Sequence, residues 1–353
     1  MTITELETPA LLADQSIMEE NAAVMKSITA GSRMRLFPHY KSHKCPMIAK
    51  KQMELGAGGI TCAKLGEADD LVREGIPTVV IANQVVQSEK LPLLASLARR
   101  AHLTVCADDE ENILALERAM AEGGGVLHVL VEYEAGMRRC GAESFEEVLR
   151  LAKLIEAQPH LSFHGIQAYA GQLSHEENGE TRRREVLRIE TEAARLKGYL
   201  EERGVLVPNV CGGSTGYAAE KPEDTVYTQL QAGSYLFMDS SYQRLNLPFR
   251  QALYVLTSVV SVKPDRVVVD CGVKTLTMDQ HAPYFPAFPE AELSFSEEHT
   301  TVFTENSDLL PGDMLLCVPG HCCTTVNTFD RIHVIRGEDV LHVWPITSRG
   351  KAQ

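Results

Sequence analysis

Positive charge is what this chain has least of: 34 Lys and Arg stand against 48 Asp and Glu, a formal net charge of −14 at pH 7. Without a basic excess to neutralise phosphates, the balance argues against nucleic acid and anionic membrane surfaces as partners. The one basic run of note, Arg182-Arg183-Arg184, is interleaved with acids and reads as a solvated helix face. Long apolar runs are missing too, and no stretch approaches the roughly 18–20 residues that span a bilayer. The first residues, Met1-Thr2-Ile3-Thr4-Glu5-Leu6-Glu7, form no basic and apolar leader, which predicts a cytoplasmic protein. Internal repeats, low-complexity tracts and long linkers are absent. Nine cysteines, an odd number without paired spacing, fit reduced thiols better than a disulfide framework. What remains is 353 residues, 44% hydrophobic and 23% charged, enough for a large core in two domains or in one barrel with an addition.

Apolar strand-like runs recur along the first two thirds. They are Arg35 to Pro38, Gly59 to Cys62, Thr78 to Ala82, His102 to Cys106, Val126 to Val131, His164 to Tyr169, Val205 to Cys211 and Thr228 to Gln231. Helical patterns separate most of them. The clearest places Val186, Ile189, Ala193, Leu196 and Leu200 on one face by steps of three and four. Strands alternating with helices indicate parallel βαβ units, and eight of them indicate a closed (β/α)8 barrel, with an open doubly wound sheet as the alternative. From about Tyr254 short apolar runs are divided by turns such as Pro311-Gly312-Asp313, and helical periodicity stops, so an all-β domain is predicted there. The expected division is a barrel over residues 15–245 and a β domain over 246–353 joined by 1–14.

Four stretches carry candidate chemistry. Lys41 follows an apolar run that ends on Pro38, at the strand end where barrels keep their active sites. A desolvated amine there can lose its proton and attack a carbonyl, whereas pattern alone leaves a solvated loop lysine as the competing reading. Gly212-Gly213-Ser214-Thr215-Gly216, after the seventh strand, has the small side chains that let backbone N–H groups approach phosphate. Gly136-Met137-Arg138-Arg139-Cys140-Gly141 places two arginines on a loop. In His321-Cys322-Cys323, an extended backbone would turn His321 and Cys323 to one face and Cys322 away. Imidazole and thiolate suit zinc, and two ligands leave positions for water or substrate; a buried cysteine beside a surface histidine is the alternative.

The segment Pro38-His39-Tyr40-Lys41-Ser42-His43-Lys44 resembles the Pro-His-x-Lys-Thr-His-Lys motif of the D-threonine aldolase and D-serine dehydratase family, pyridoxal-phosphate enzymes of the alanine-racemase-like fold type. The resemblance runs from Thr8-Pro9-Ala10 to Trp344-Pro345-Ile346. It implies that Lys41 carries the cofactor, that Arg139 rather than Arg138 contacts its phenolic oxygen, and that Tyr169, in Gln167-Ala168-Tyr169, contacts its ring or that oxygen, with a packing tyrosine at the barrel end as the alternative. It assigns the phosphate to Gly213, Ser214, Thr215 and Gly216 together with Gln231, Gly233, Ser234 and Tyr235. There the chain departs from the family's Arg-Pro-Gly-x-Tyr, with Gln231 in place of arginine and Ala232 in place of proline. It also implies a divalent metal, zinc or alternatively manganese, on His321 and Cys323, with Glu298 and His299 ranked below them.

The implied activity is lysis of a small D-β-hydroxy amino acid by a homodimer. A His-x-Cys pair is the dehydratases' form and His-x-Asp the aldolases' common form. Elimination, from D-serine or 3-hydroxyaspartate to a keto acid and ammonia, is therefore the expectation, with lysine as base at Cα and metal as Lewis acid. Retro-aldol cleavage to glycine and an aldehyde is the alternative, and a non-catalytic cofactor-binding protein stands below both.

Overall fold

The computed structural model describes all 353 residues, which form two compact units. One comprises Met25–Lys41, Pro46–Gly233 and Lys351–Gln353; the other comprises Met1–Val24, Ser42–Cys45 and Ser234–Gly350.

The first unit is the barrel. Its strands are β1 (Arg35–Leu36), β2 (Ile60–Cys62), β3 (Thr78–Gln84), β4 (His102–Ala107), β5 (Leu127–Glu132), β6 (Leu161–Ala168), β7 (Val210–Gly212) and β8 (Gln229–Leu230). They lie in the order β1-β8-β7-β6-β5-β4-β3-β2, every neighbouring pair parallel. A parallel bridge between His39 and Thr61 joins the two ends, with Thr61 N–H donating to the Pro38 carbonyl at 3.0 Å. The eight strands therefore close on themselves, as the alternation of strands and helices predicts, and an open sheet is excluded. Phe37, Val80, Cys106, Leu130 and Cys211 pack together in the interior. Outside, the helix Gly179–Glu201 buries the expected face of Val186, Ile189, Ala193, Leu196 and Leu200.

One expectation fails on this helix. Arg182 is not solvated but buried, its guanidinium 2.9 Å from Glu220 and donating to the Glu176 carbonyl at 2.7 Å; only Arg183 and Arg184 of the run are exposed. A buried arginine needs a carboxylate and a carbonyl to replace water, and the segments after β7 and β6 supply them in turn.

The second unit is mostly β. Its sheet runs Leu293–Phe295, Thr300–Phe303, Arg266–Val269, Leu253–Lys263, Ala10–Asp14, Arg331–Arg336, Asp339–Pro345, and Met314–Cys317 pairs with Leu253–Lys263 off that path. Ala10–Asp14 is antiparallel to Leu253–Lys263 and parallel to Arg331–Arg336. Ala10, Leu12, Leu256 and Ile335 make its core with Leu6.

The segment from His321 to Asn327 is not extended as expected. Cys322–Val326 is a short helix, and only His321, at its N-cap, has strand-like angles. Asp239 causes the difference: its carboxylate accepts the Cys322 N–H at 2.7 Å, satisfying a helix-start donor that a strand would have sent to a ladder.

Candidate active site

At the carboxyl ends of the barrel strands a cavity of about 190 Å³ is lined by His39, Lys41, Asn83, Gln84, Arg139, Gln167, Tyr169 and Gln231, among others. Lys41 reaches it from a single 3₁₀ turn, Tyr40–Ser42, beyond β1. A lysine on so short a turn needs an anchor, and Tyr40 provides it: the ring is fully buried and its hydroxyl donates to Asp70 Oδ2 at 2.9 Å. The Lys41 N–H leans on His39 Nδ1 at 3.4 Å.

Opposite, Glu134 Oε1 accepts the N–H groups of Gly136 and Arg138 at 2.8 and 2.7 Å, and Asp108 accepts that of Gly141 at 2.7 Å. The turn so held gives Arg138 a left-handed backbone (φ 52°) and leaves it outside the cavity lining, while Arg139 lines the cavity. The Arg139 guanidinium lies 5.6 Å from the centre of the Tyr169 ring, and Lys41 Nζ lies 6.0 Å from the same centre. Two cations thus flank one aromatic ring. Glu132, at the end of β5, is 3.6 Å from Arg139 and accepts from Gln84 Nε2 at 2.7 Å. Burial pushes the Glu132 carboxyl above its usual range, against the pull of Gln84 and Arg139.

Gln231 is held by a reciprocal pair of amide hydrogen bonds with Gln167, at 2.7 and 3.0 Å. A neutral amide therefore stands where the family often has arginine. The glycine-rich loop begins at Gly212, whose φ is +150° and where a Cβ would stand 2.4 Å from the Ala168 carbonyl oxygen, so only glycine lets β7 pass β6 there. The chain then turns at Ser214 into the helix Thr215–Ala218, with Ser214 Oγ accepting from the Tyr217 N–H at 3.2 Å. A strand running through glycines into a helix start presents backbone N–H groups to an anion. Gly233 ends this unit, whereas Ser234 and Tyr235 begin a buried 3₁₀ turn of the other.

In the mostly β unit, the side chains of His321 and Cys323 hydrogen-bond to each other. Asp279 Oδ2 takes His321 Nδ1 at 2.7 Å, while Thr324 donates to the other oxygen of Asp279 at 2.7 Å. A carboxylate on Nδ1 fixes the ring and leaves Nε2 as the ligand nitrogen, the usual outer partner of a metal-binding histidine. Burial works against charge on His321, yet Cys323, then Asp279 and Asp239, raise its pKa to about 9. Cys323 is half-buried, with its sulfur 3.4 Å from Ser42 Oγ and 3.8 Å from Ser234 Oγ. Cys322 is fully buried, and its hydrogen bond with Cys323, followed by burial, pushes its pKa well up. The pairing of 321 with 323 is thus present, made by a helix start rather than by strand alternation. Glu298 is exposed and bonded to Lys274 at 3.0 Å, and His299 is exposed, its carbonyl accepting the Ser296 N–H.

The family model for the alanine racemase N-terminal domain matches residues 13–241, and that for a putative serine dehydratase domain matches 252–335. A D-threonine aldolase of Arthrobacter sp. is 38% identical over 99% of this chain and 94% of its own length. The chain belongs to the D-threonine aldolase and D-serine dehydratase family. The crystal structure of the D-threonine aldolase from Filomicrobium marinum superposes with a TM-score of 0.96 at 36% identity, covering 100% of this chain and 98% of that one. The D-threo-3-hydroxyaspartate dehydratase of a Delftia sp. strain is 26% identical over 79% of this chain and 75% of its own. These family members are lyases by name, and this chain is an enzyme of that type, which removes the reading as a non-catalytic binding protein.

Sequence reasoning missed the supports of the family's site. Glu190, on the helix Gly179–Glu201, is buried and accepts from the Tyr217 hydroxyl, from Thr225 Oγ1 at 2.5 Å and from the Val226 N–H at 2.9 Å. It ties the segment after the glycine loop to the barrel wall. Its place on the apolar face, one residue after Ile189, was the available signal.

Proposed function

We propose that this chain is a pyridoxal-phosphate- and metal-dependent aldolase that splits D-β-hydroxy amino acids into glycine and an aldehyde. The observation that carries the reading is the 38% identity to a D-threonine aldolase over 99% of the chain, against 26% over 79% for a dehydratase. Elimination remains the second reading, favoured by the ligand pair His321 and Cys323.

The residues at the barrel mouth fit the cofactor: an amine for its carbonyl, a guanidinium for its phenolic oxygen and a glycine turn for its phosphate. Lys41 would hold it, Arg139 and Tyr169 would orient it, and Gly213 to Gly216 would bind its phosphate. Pyridoxal phosphate, when bound, supplies an electron sink at Cα. His321 and Cys323 fit a borderline ion such as zinc, with manganese the alternative, which supplies Lewis acidity toward the β-hydroxyl.

In cleavage the β-hydroxyl would pass its proton to water in the cavity, the Cα–Cβ bond would break to release the aldehyde, and Lys41, as its ammonium, would give a proton to Cα. In elimination the Lys41 amine instead removes the α-proton and hydroxide leaves from Cβ. Gln231, locked to Gln167, places no cation at the cavity wall and brings no charge of its own to either step. Product analysis with D-threonine, D-serine and D-threo-3-hydroxyaspartate decides between them. Glycine with an aldehyde supports the proposal, whereas keto acid with ammonia as the main product from all three overturns it in favour of elimination.

A further inference from the structure

The other end of the barrel holds a second group of ligand-type side chains. His102 opens β4, His128 is the second residue of β5, and His164 lies in β6. His102 and His128 share strand parity with the interior residues Cys106 and Leu130, so both face the lumen. His164 joins them through a bulge. Val129 pairs with Phe163 and Leu130 with Gly165, so His164 is the extra residue that resets the alternation of β6. The bulge depends on Gly165, with φ +126°, where a Cβ would stand 2.0 Å from the Asn209 carbonyl oxygen.

The three imidazoles are in contact. His102 stacks on His128 with centroids 3.9 Å apart, and His164 tilts against both at 5.3 and 5.1 Å. One ligand atom from each lies within 4.8 Å of the other two. His128 Nδ1 is buried and has no hydrogen-bond partner, which is uncommon for a buried ring nitrogen.

We infer that His102, His128 and His164 form a second metal site, for a late first-row divalent ion such as zinc or copper, at the amino-terminal end of the barrel. Three imidazoles suit those ions, and carbonyls or carboxylates, which would select calcium or magnesium, are not part of the set. Lone pairs lie in the ring planes, so two parallel stacked rings cannot both point at one ion. His102 is the exposed member, and binding requires its ring to turn out of the stack it makes here, leaving the fourth position to water. An ion so held links β4, β5 and β6.

The test uses full-length, tag-free protein carrying His321→Ala and Cys323→Ala, which removes the other ligand pair. Equilibrium dialysis against zinc at pH 7.5 should retain one equivalent per chain. A hundredfold excess over Kd should raise Tm by about 4 °C. Adding His102→Ala should weaken retention at least tenfold and abolish the Tm shift, while His160→Ala, whose ring bonds to Glu117 elsewhere, should change neither. His102 is exposed at a strand end, so its removal leaves the fold intact, and circular dichroism checks this. Cobalt substitution should add visible d–d bands that His102→Ala loses. Absence of retained zinc in the double variant, or equal retention with His102→Ala, overturns the inference.

Discussion

Replacing Glu190 by alanine should both loosen the barrel and release the cofactor, in proportion to the donors it leaves behind. Its two oxygens take the Tyr217 hydroxyl, the Thr225 hydroxyl and the Val226 N–H. Tyr217 and Thr225 oxygens are 3.0 Å apart, so after the carboxylate is gone one hydroxyl can donate to the other. One hydroxyl hydrogen and the Val226 N–H, in part-buried positions, then lose their acceptor. At about 1–3 kcal/mol for each unsatisfied group, the loss is about 3–4 kcal/mol. For a chain of this size that is a fall in Tm of roughly 4–5 °C. Glu190→Gln keeps one carbonyl oxygen for the hydroxyls but sets an NH₂ group against the Val226 N–H, and should lose about half as much. Urea unfolding followed by circular dichroism measures the stability, and cofactor titration measures retention at the glycine loop. The reasoning is refuted if Glu190→Ala lowers stability by less than about 1 kcal/mol, or if the glutamine variant is the worse of the two.

Borohydride reduction of the loaded enzyme and peptide mapping should place the pyridoxyl label on Lys41; a label on Lys44, Lys50 or Lys51 would refute that assignment. Arg139→Ala should weaken cofactor retention about tenfold or more, through loss of a charge-assisted contact, while Arg138→Ala, outside the cavity, should leave it unchanged. Exhaustive chelation and Cys323→Ala should each abolish turnover and spare cofactor binding, with zinc or manganese restoring the chelated enzyme. Cys322→Ala should only lower stability, by about 1 kcal/mol for the small void it leaves. Glu132→Gln should gain stability over the parent as pH rises. The parent carboxyl titrates above its unfolded value of about 4.5, so its contribution is complete below that pH and is lost as pH rises through the folded value. Melting curves from pH 4.5 to 8.5 check this, and a difference that shrinks with rising pH would contradict it.

Periodicity made the barrel readable because its signals are local. The face of Val186, Ile189, Ala193, Leu196 and Leu200 repeats every three or four residues, and burial acts on just that repeat. Lys41 and Arg139 came to notice through short motifs, and the cavity they both line is built by turns that also lean on Asp70 and Asp108. Supports that act across the chain did not: Tyr40 is pinned by Asp70, Gln231 by Gln167, and Arg182 by Glu220. No composition rule marks an arginine or glutamate as the buried one of its run. The form of the segment from His321 to Asn327 was misread for the same reason, because the residue that starts the helix at Cys322 is Asp239, more than eighty positions earlier. The strands Leu293–Phe295 and Thr300–Phe303 escaped notice because each is too short to show a run.

The strand Ala10–Asp14 lies inside its sheet, between Leu253–Lys263 and Arg331–Arg336. Its Leu11 carbonyl meets His333, 322 residues further along the chain. During synthesis, then, this strand leaves the ribosome some 320 residues before the one that completes its hydrogen bonds. Until that moment an apolar strand, Ala-Leu-Leu-Ala-Asp, is solvent-exposed on a nascent chain whose barrel segments are already being made. Such a strand is a natural client for a holding chaperone and a natural donor for exchange between copies. It also means that trimming the amino terminus to residue 15 would open a gap in the middle of the sheet rather than shorten its edge.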